Sequence, residues 1–127
     1  MPEKRQRISS GSPFEPKIGF TRALRAGDRV LVSGTGPVWP DGSFDPDPAA
    51  QTRRVLEIIV AALKEAGAEP ADVVRTGIYI ADAADFEAIG AVHAEFFGAA
   101  PPASLCVVTG LLDPRWRVEI EAEAMIG

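Results

Sequence analysis

The sequence predicts an α+β fold, and three patterns carry that prediction. A helical signal opens at Asp47-Pro48, a β-branched run covers Val73 to Ile80, and Trp116 to Met125 alternates apolar with charged residues. Set in chain order with the weaker signals, they read ββ-α-β-α-ββ. That order places two helices on one face of a mixed sheet.

Met1 to Ser12 is basic and polar, and reads as a mobile tail ahead of a single domain over 13–127. Phe20 to Leu24 and Arg29 to Ser33 read as short strands joined at Ala26-Gly27-Asp28. Gly34 to Phe44, rich in glycine and proline, reads as a loop or loose hairpin. Asp47 then suits an N-cap and Pro48 a first helical residue, where its missing N–H costs nothing. Val55, Ile58, Ile59, Ala62 and Leu63 fall on one helical face, and Gly67 is the expected stop. A second helix, about Ala84 to Phe97, would bury Phe86, Ile89, Val92, Phe96 and Phe97. His93 reads as a surface residue on it. Two strands, about Ala103 to Thr109 and Trp116 to Met125, close the chain.

In the last strand Trp116, Val118, Ile120, Ala122 and Ala124 alternate with Arg117, Glu119, Glu121 and Glu123. The apolar set should lie under the helices and the charged set on the opposite face. In the preceding strand Leu105 and Val107 alternate with Ser104, Cys106 and Val108. A sheet face carrying both the thiol and the carboxylates would make a polar cleft, lined partly by another copy of the chain. A solvated face gives the same alternation.

Bulk properties narrow the function. Thirteen Lys and Arg against eighteen Asp and Glu give a formal net charge of −5, which opposes binding to a nucleic acid surface unless the basic residues cluster. No apolar run is long enough to span a bilayer, and the N-terminus lacks the apolar core of a secretory signal. One cysteine excludes an internal disulfide and suits a reducing cytoplasm. With a single histidine besides, the chain offers no ligand set for a structural metal, and no motif calls for a cofactor. Asp41, Asp45 and Asp47 read as turn and cap residues, since Pro46 and Pro48 break a calcium-loop pattern. Ser33-Gly34-Thr35-Gly36 lacks the lysine and the following helix of a phosphate loop.

From Ile18 onward the wording resembles the RidA family, the YjgF-type proteins. Ile18-Gly19-Phe20, Val32-Ser33-Gly34, Gln51-Thr52-Arg53 with Leu56, Ala66-Gly67, Asp72-Val73-Val74, Asp85-Phe86, Phe96-Phe97, Pro102-Ala103 with Cys106, and Val118-Glu119-Ile120-Glu121-Ala122 follow in family order. The resemblance implies a chorismate-mutase-like subunit, a homotrimer with a central barrel, and small-molecule clefts between subunits. It also implies hydrolysis of imines or enamines without a cofactor. Glu119 would manage the attacking water, with Phe20, Ser33, Gly34, Gly90, Ser104 and Cys106 lining the cleft. Some RidA-like proteins are described as ribonucleases; the acidic balance of this chain argues against that activity here.

Three positions depart from the family pattern. Ser104 stands where the deaminases carry an arginine that pairs a substrate carboxylate, Gly90 replaces an asparagine, and Phe20 a tyrosine. A hydroxyl is no equivalent of a bidentate guanidinium. The expected substrate is therefore not an ordinary 2-imino acid, unless Arg22, Arg75 or Arg117 supplies the cation from another wall. Arg117 is included among the substrate-binding candidates because alternation places it on the Glu119 face. The alternative is a non-catalytic ligand-binding or protein-stabilising trimer.

Overall fold

The structure, a computed structural model, describes residues 4–127. One six-stranded sheet carries two long helices. Its strands are β1 (Arg5–Ile8), β2 (Ala23–Ala26), β3 (Arg29–Thr35), β4 (Val73–Ile80), β5 (Ala103–Val108) and β6 (Val118–Met125), and its helices are α1 (Phe14–Ile18), α2 (Pro48–Glu65) and α3 (Phe86–Phe97). The spatial order is β1-β2-β3-β6-β4-β5. Among the described residues only the β4–β5 pair is parallel; α3 makes the crossover it requires.

The last strand in sequence is thus interior to the sheet, flanked by β3 and β4. Its alternation sorts the molecule into two faces. Val118, Ile120, Ala122 and Ala124 are buried with Val55, Leu56, Ile59 and Leu63 of α2 and Ile89, Val92 and Phe97 of α3. Asp47 caps α2 by accepting from the Ala50 N–H at 2.9 Å, and Pro48 is the first helical residue. Gly67, at φ 89°, terminates the helix in a conformation that disfavours any side chain. Gln51 is fully buried and fastens α2 to the chain entering β6: its Nε2 donates to Arg115 O at 3.2 Å, and its Oε1 accepts from Arg117 N at 2.6 Å. Gly36 lets the loop after β3 pass under Trp116, where a Cβ would come within 2.8 Å of the ring.

Three departures from the expected elements stand out. Residues 5–8, assigned to a mobile tail, form the edge strand β1, paired with β2 from Arg5↔Ala26 to Ile8↔Ala23; residues 1–3 of that tail lie outside the described residues. Of the β1 side chains only Ile8 is buried, so the strand rests on backbone pairing and leaves no apolar rhythm to read. Second, α1 fills a stretch with no predicted element. Glu15 within it is buried and accepts from Ser10 N (3.0 Å), Ser10 Oγ (2.6 Å) and Ser12 N (3.3 Å). These bonds outweigh burial and hold the Glu15 carboxyl below its ordinary value. Third, Phe86 is exposed: it closes the 3-10 turn Ala83–Asp85 instead of joining the buried stripe of α3.

Core truncation and cap removal should separate cleanly in urea denaturation. Leu56→Ala, at a site with no exposed surface, is expected to cost about 2–5 kcal/mol. Asp47→Ala, which removes only the cap, is expected to cost about 1 kcal/mol.

Candidate functional site

The candidate site lies on the sheet face that the helices leave open. Pairing of β6 with β4 sets Glu119 beside Tyr79 and Glu121 beside Gly77 on that face. Tyr79 donates its hydroxyl to Glu121 Oε1 at 2.7 Å. Glu119, half-buried, lies against the backbone of Gly34, close enough that a Cβ there would sit 3.6 Å from its carboxyl carbon. Gly34, Tyr79, Glu119, Glu121 and the segment Thr109–Leu112 line a shallow cavity of about 410 Å³. A second open groove, about 450 Å³, runs alongside and includes Thr21, Ser33, Arg75, Glu121 and Glu123.

Arg22 sets the electrostatics behind Glu119. It is 8% exposed, an unusual place for a cation. Its Nη1 donates to Gly34 O at 2.7 Å and Thr35 Oγ1 at 3.0 Å, and the Phe20 ring lies 5.4 Å from its guanidinium carbon. Among the described residues its buried Nε has no hydrogen-bond partner. Burial depresses the proton affinity of this guanidinium, while Glu15 and Glu119 support it. For Glu119, burial is the dominant influence and raises the carboxyl above its ordinary value; Arg22 pulls it down and Glu121 adds to the rise. The result is a carboxylate of increased basicity beside an open cavity, which is what a general base for water requires.

The other predicted residues do not all join it. Register places Cys106 beside Ile78, which itself pairs with Ile120, on the helix-covered face. Cys106 is half-buried against the core, and burial raises its thiol, so nothing favours a reactive thiolate. Ser104 follows the same alternation: it lies beside Thr76 and accepts a hydrogen bond from Thr76 Oγ1 at 2.8 Å. The expectation of one face holding both thiol and carboxylates is therefore corrected. The parallel β4–β5 register puts Ser104 and Cys106 on one side and Glu119 on the other, and alternation within single strands cannot reveal which phase two strands share.

Arg117 is also corrected as a cleft residue. Its guanidinium pairs Asp85, Nε at 2.8 Å and Nη2 at 2.6 Å, at the base of α3, away from Glu119. Gly90 lies on α3, one turn before His93, with open space where a side chain would stand. Phe20 lines neither cavity; its ring lies against Arg22. Ser33 keeps its hydroxyl on Thr21 O at 2.6 Å while lining the larger groove. Of the three alternative cations, Arg22 stands nearest in effect to Glu119, and Arg75 lines the larger groove. His93 is not a surface group: it is half-buried, its Nε2 lies 2.9 Å from Thr76 Oγ1, and its ring meets Phe97 at 4.8 Å. A lone histidine between apolar neighbours gives no sequence signal for that role. Among the described residues no cluster of three His, Cys, Asp or Glu side chains is placed to hold a metal ion.

A mixed sheet with two long helices on one face and a carboxylate site on the other defines the class of subunit, and comparison with known proteins supplies the family. The sequence signature described as Endoribonuclease L-PSP spans residues 11–126, and the chain belongs to that family, the YjgF-type or RidA family. A Streptomyces coelicolor protein, SCO2049, is 40% identical over 124 residues, covering 96% of this chain and 92% of its own. The crystal structure of Rv2704 from Mycobacterium tuberculosis, a member of the YjgF/YER057c/UK114 family, is 45% identical with a TM-score of 0.89, over 97% of this chain and all of that one. NMB1025 from Neisseria meningitidis, a YjgF family member, is 27% identical with a TM-score of 0.82, over 98% and 96% of the two chains. Among the described residues no helix is long and apolar enough to cross a membrane.

The raised Glu119 has a readable cost. A carboxyl elevated in the folded state lowers stability as pH climbs from its ordinary value through its folded one, and has no effect below the ordinary carboxylate range. Glu119→Gln should therefore match wild type in thermal melts at about pH 3 and exceed it at about pH 7. Removing the opposing cation, as in Arg22→Met, should move the Glu119 titration followed by carbon NMR still higher.

Proposed function

We propose that this chain is a small-molecule hydrolase acting on an imine, or on an enamine after tautomerisation, with Glu119 as general base. The observation that carries the reading is Glu119 itself: a half-buried carboxylate, raised by burial and facing an open cavity beside Arg22. Glu119 takes a proton from water as the water oxygen bonds to the imine carbon, and the C=N π pair on nitrogen takes that proton back from Glu119 to give a carbinolamine. The carbinolamine hydroxyl then yields its proton to the nitrogen by way of Glu119, a C=O bond forms as the C–N bond breaks, and the nitrogen leaves as ammonia. The net change converts one imine and one water into one carbonyl compound and one ammonia, with no oxidant or reductant. No cofactor enters this scheme.

The working form in this reading is a homotrimer whose clefts lie between subunits. Two features support it. Leu31, Leu105 and Met125 are exposed on the open face beside Glu121 and Glu123, and Leu112 at the cavity rim is almost wholly exposed. Within one subunit, moreover, Ser104 and Cys106 occupy the face opposite Glu119, so a ligand can meet both sets only where two copies adjoin. The absence of an arginine at position 104 points away from ordinary 2-imino acids. Losing a charge-assisted bond weakens binding by roughly tenfold to more than a hundredfold.

The alternative, a trimer that binds a ligand without turning it over, draws support from the same missing arginine. A ribonuclease reading is less favoured, because Glu119, Glu121 and Glu123 share the exposed face of a chain whose net charge is −5. Imines generated in place by an amino-acid oxidase test the hydrolase. Glu119→Gln is expected to reduce kcat/KM by about 10² to 10⁴; equal rates for wild type and variant would remove the hydrolase and leave the binding protein. Light scattering should give three times the chain mass, and a monomer would dissolve the shared cleft.

A further inference from the structure

The side chain at position 104 is not an isolated substitution. Ser104 on β5, Thr76 on β4 and His93 on α3 form a continuous hydrogen-bonded chain: Thr76 Oγ1 to Ser104 Oγ at 2.8 Å, and Thr76 Oγ1 to His93 Nε2 at 2.9 Å. Thr76 is fully buried, His93 half-buried against Phe97, and Ser104 exposed. The chain therefore crosses the buried Thr76 from the half-buried His93 on α3 to the exposed Ser104 on the edge strand β5.

Counting protons limits the chain to two directions. A threonine hydroxyl carries one proton, so Thr76 donates in one of its two contacts and accepts in the other; the outward direction has it donate to Ser104. His93 must then donate to Thr76 from Nε2, which leaves Nδ1 bare in the neutral ring. Ser104 accepts from Thr76, so its own proton remains free to point outward. Burial favours the uncharged imidazole at the His93 end. Such a series polarises its members in one sense, strengthening the terminal donor.

We propose that His93 and Thr76 are positioning residues that make Ser104 a directed, uncharged hydrogen-bond donor to a neutral carbonyl oxygen of the ligand. The substrate class is then an imine bearing an amide or ester where a 2-imino acid bears its carboxylate. This rests on the imine-hydrolase reading and specifies its substrate. A single hydroxyl proton matches one carbonyl oxygen, whereas a carboxylate presents two oxygens and a charge that this position leaves unmatched. Gly90 lies one turn from His93 on the same helix, and a Cβ there would meet nothing within 4 Å.

Two measurements decide the matter without requiring turnover. His93 is the only histidine in the chain, so its ring nitrogens can be read directly by nitrogen NMR in the neutral form. The proposal requires the Nε2–H tautomer; a proton on Nδ1 would reverse the chain and overturn it. The second is titration of the intact protein with pyruvamide and with pyruvate, followed at the Ser104 amide. Pyruvamide is expected to bind more tightly, Thr76→Val to weaken it roughly three- to tenfold, and Thr76→Ser to restore it. Ser104→Arg should invert the preference toward pyruvate. His93→Phe, at a half-buried position, repeats the test should Thr76→Val not fold. No pyruvamide response at Ser104, tighter pyruvate binding by wild type, or an unaffected affinity in both Thr76→Val and His93→Phe would each sink the proposal. Intact pyruvamide binding without Glu119-dependent hydrolysis would instead sink only the hydrolase.

Discussion

The strict alternation of β6, held between two neighbouring strands, is the constraint on which the rest of this structure depends. Because β6 pairs with both β3 and β4, its side chains have only two places to go. Val118, Ile120, Ala122 and Ala124 enter the helix-covered core, and Glu119, Glu121 and Glu123 are sent to the other face by the same period of two. The core and the candidate site are thus two consequences of one strand. A slip of one residue would bury the carboxylates and expose the isoleucine. Gln51 secures the arrangement from the helix side, bonding the backbone at Arg115 and Arg117 just before β6 begins.

Around that strand the charged groups are arranged in depth. Glu15 receives hydrogen bonds from Ser10 and Ser12, Arg22 lies buried between the N-terminal segment and the β3 turn, and Glu119 stands at the cavity. Each acts on the next through a medium poorer in water than the surface, where Coulomb interactions are less screened. Arg22 therefore tunes a carboxylate it does not need to touch.

Much of the fold was legible before any coordinate. Asp47-Pro48 and Gly67 mark α2 at both ends because caps are local chemistry, and the β6 alternation is visible because half-burial leaves a period. The missing pieces were those stabilised from afar. β1 buries only Ile8, so nothing in Arg5-Gln6-Arg7 announces a strand. α1 is five residues long, too short for a helical rhythm to show. The candidate site was legible only in part: Glu119 stood out as a candidate, but Arg22 was one arginine among several, and His93 gave no sign of its contact with Thr76.

By itself the sequence determined the α+β class, the two long helices, the face assignment within β6 and the family resemblance, all of which depend on neighbours a few residues apart. Only the tertiary structure decided which face of β5 joins which face of β6. That relation is set by the β4–β5 and β4–β6 registers, between segments far apart in sequence. It put Ser104 and Cys106 behind the sheet and Glu119 in front, and it gave Arg117 to Asp85. Strand phase is a long-range property: each strand carries its own alternation, but only pairing states which alternations coincide.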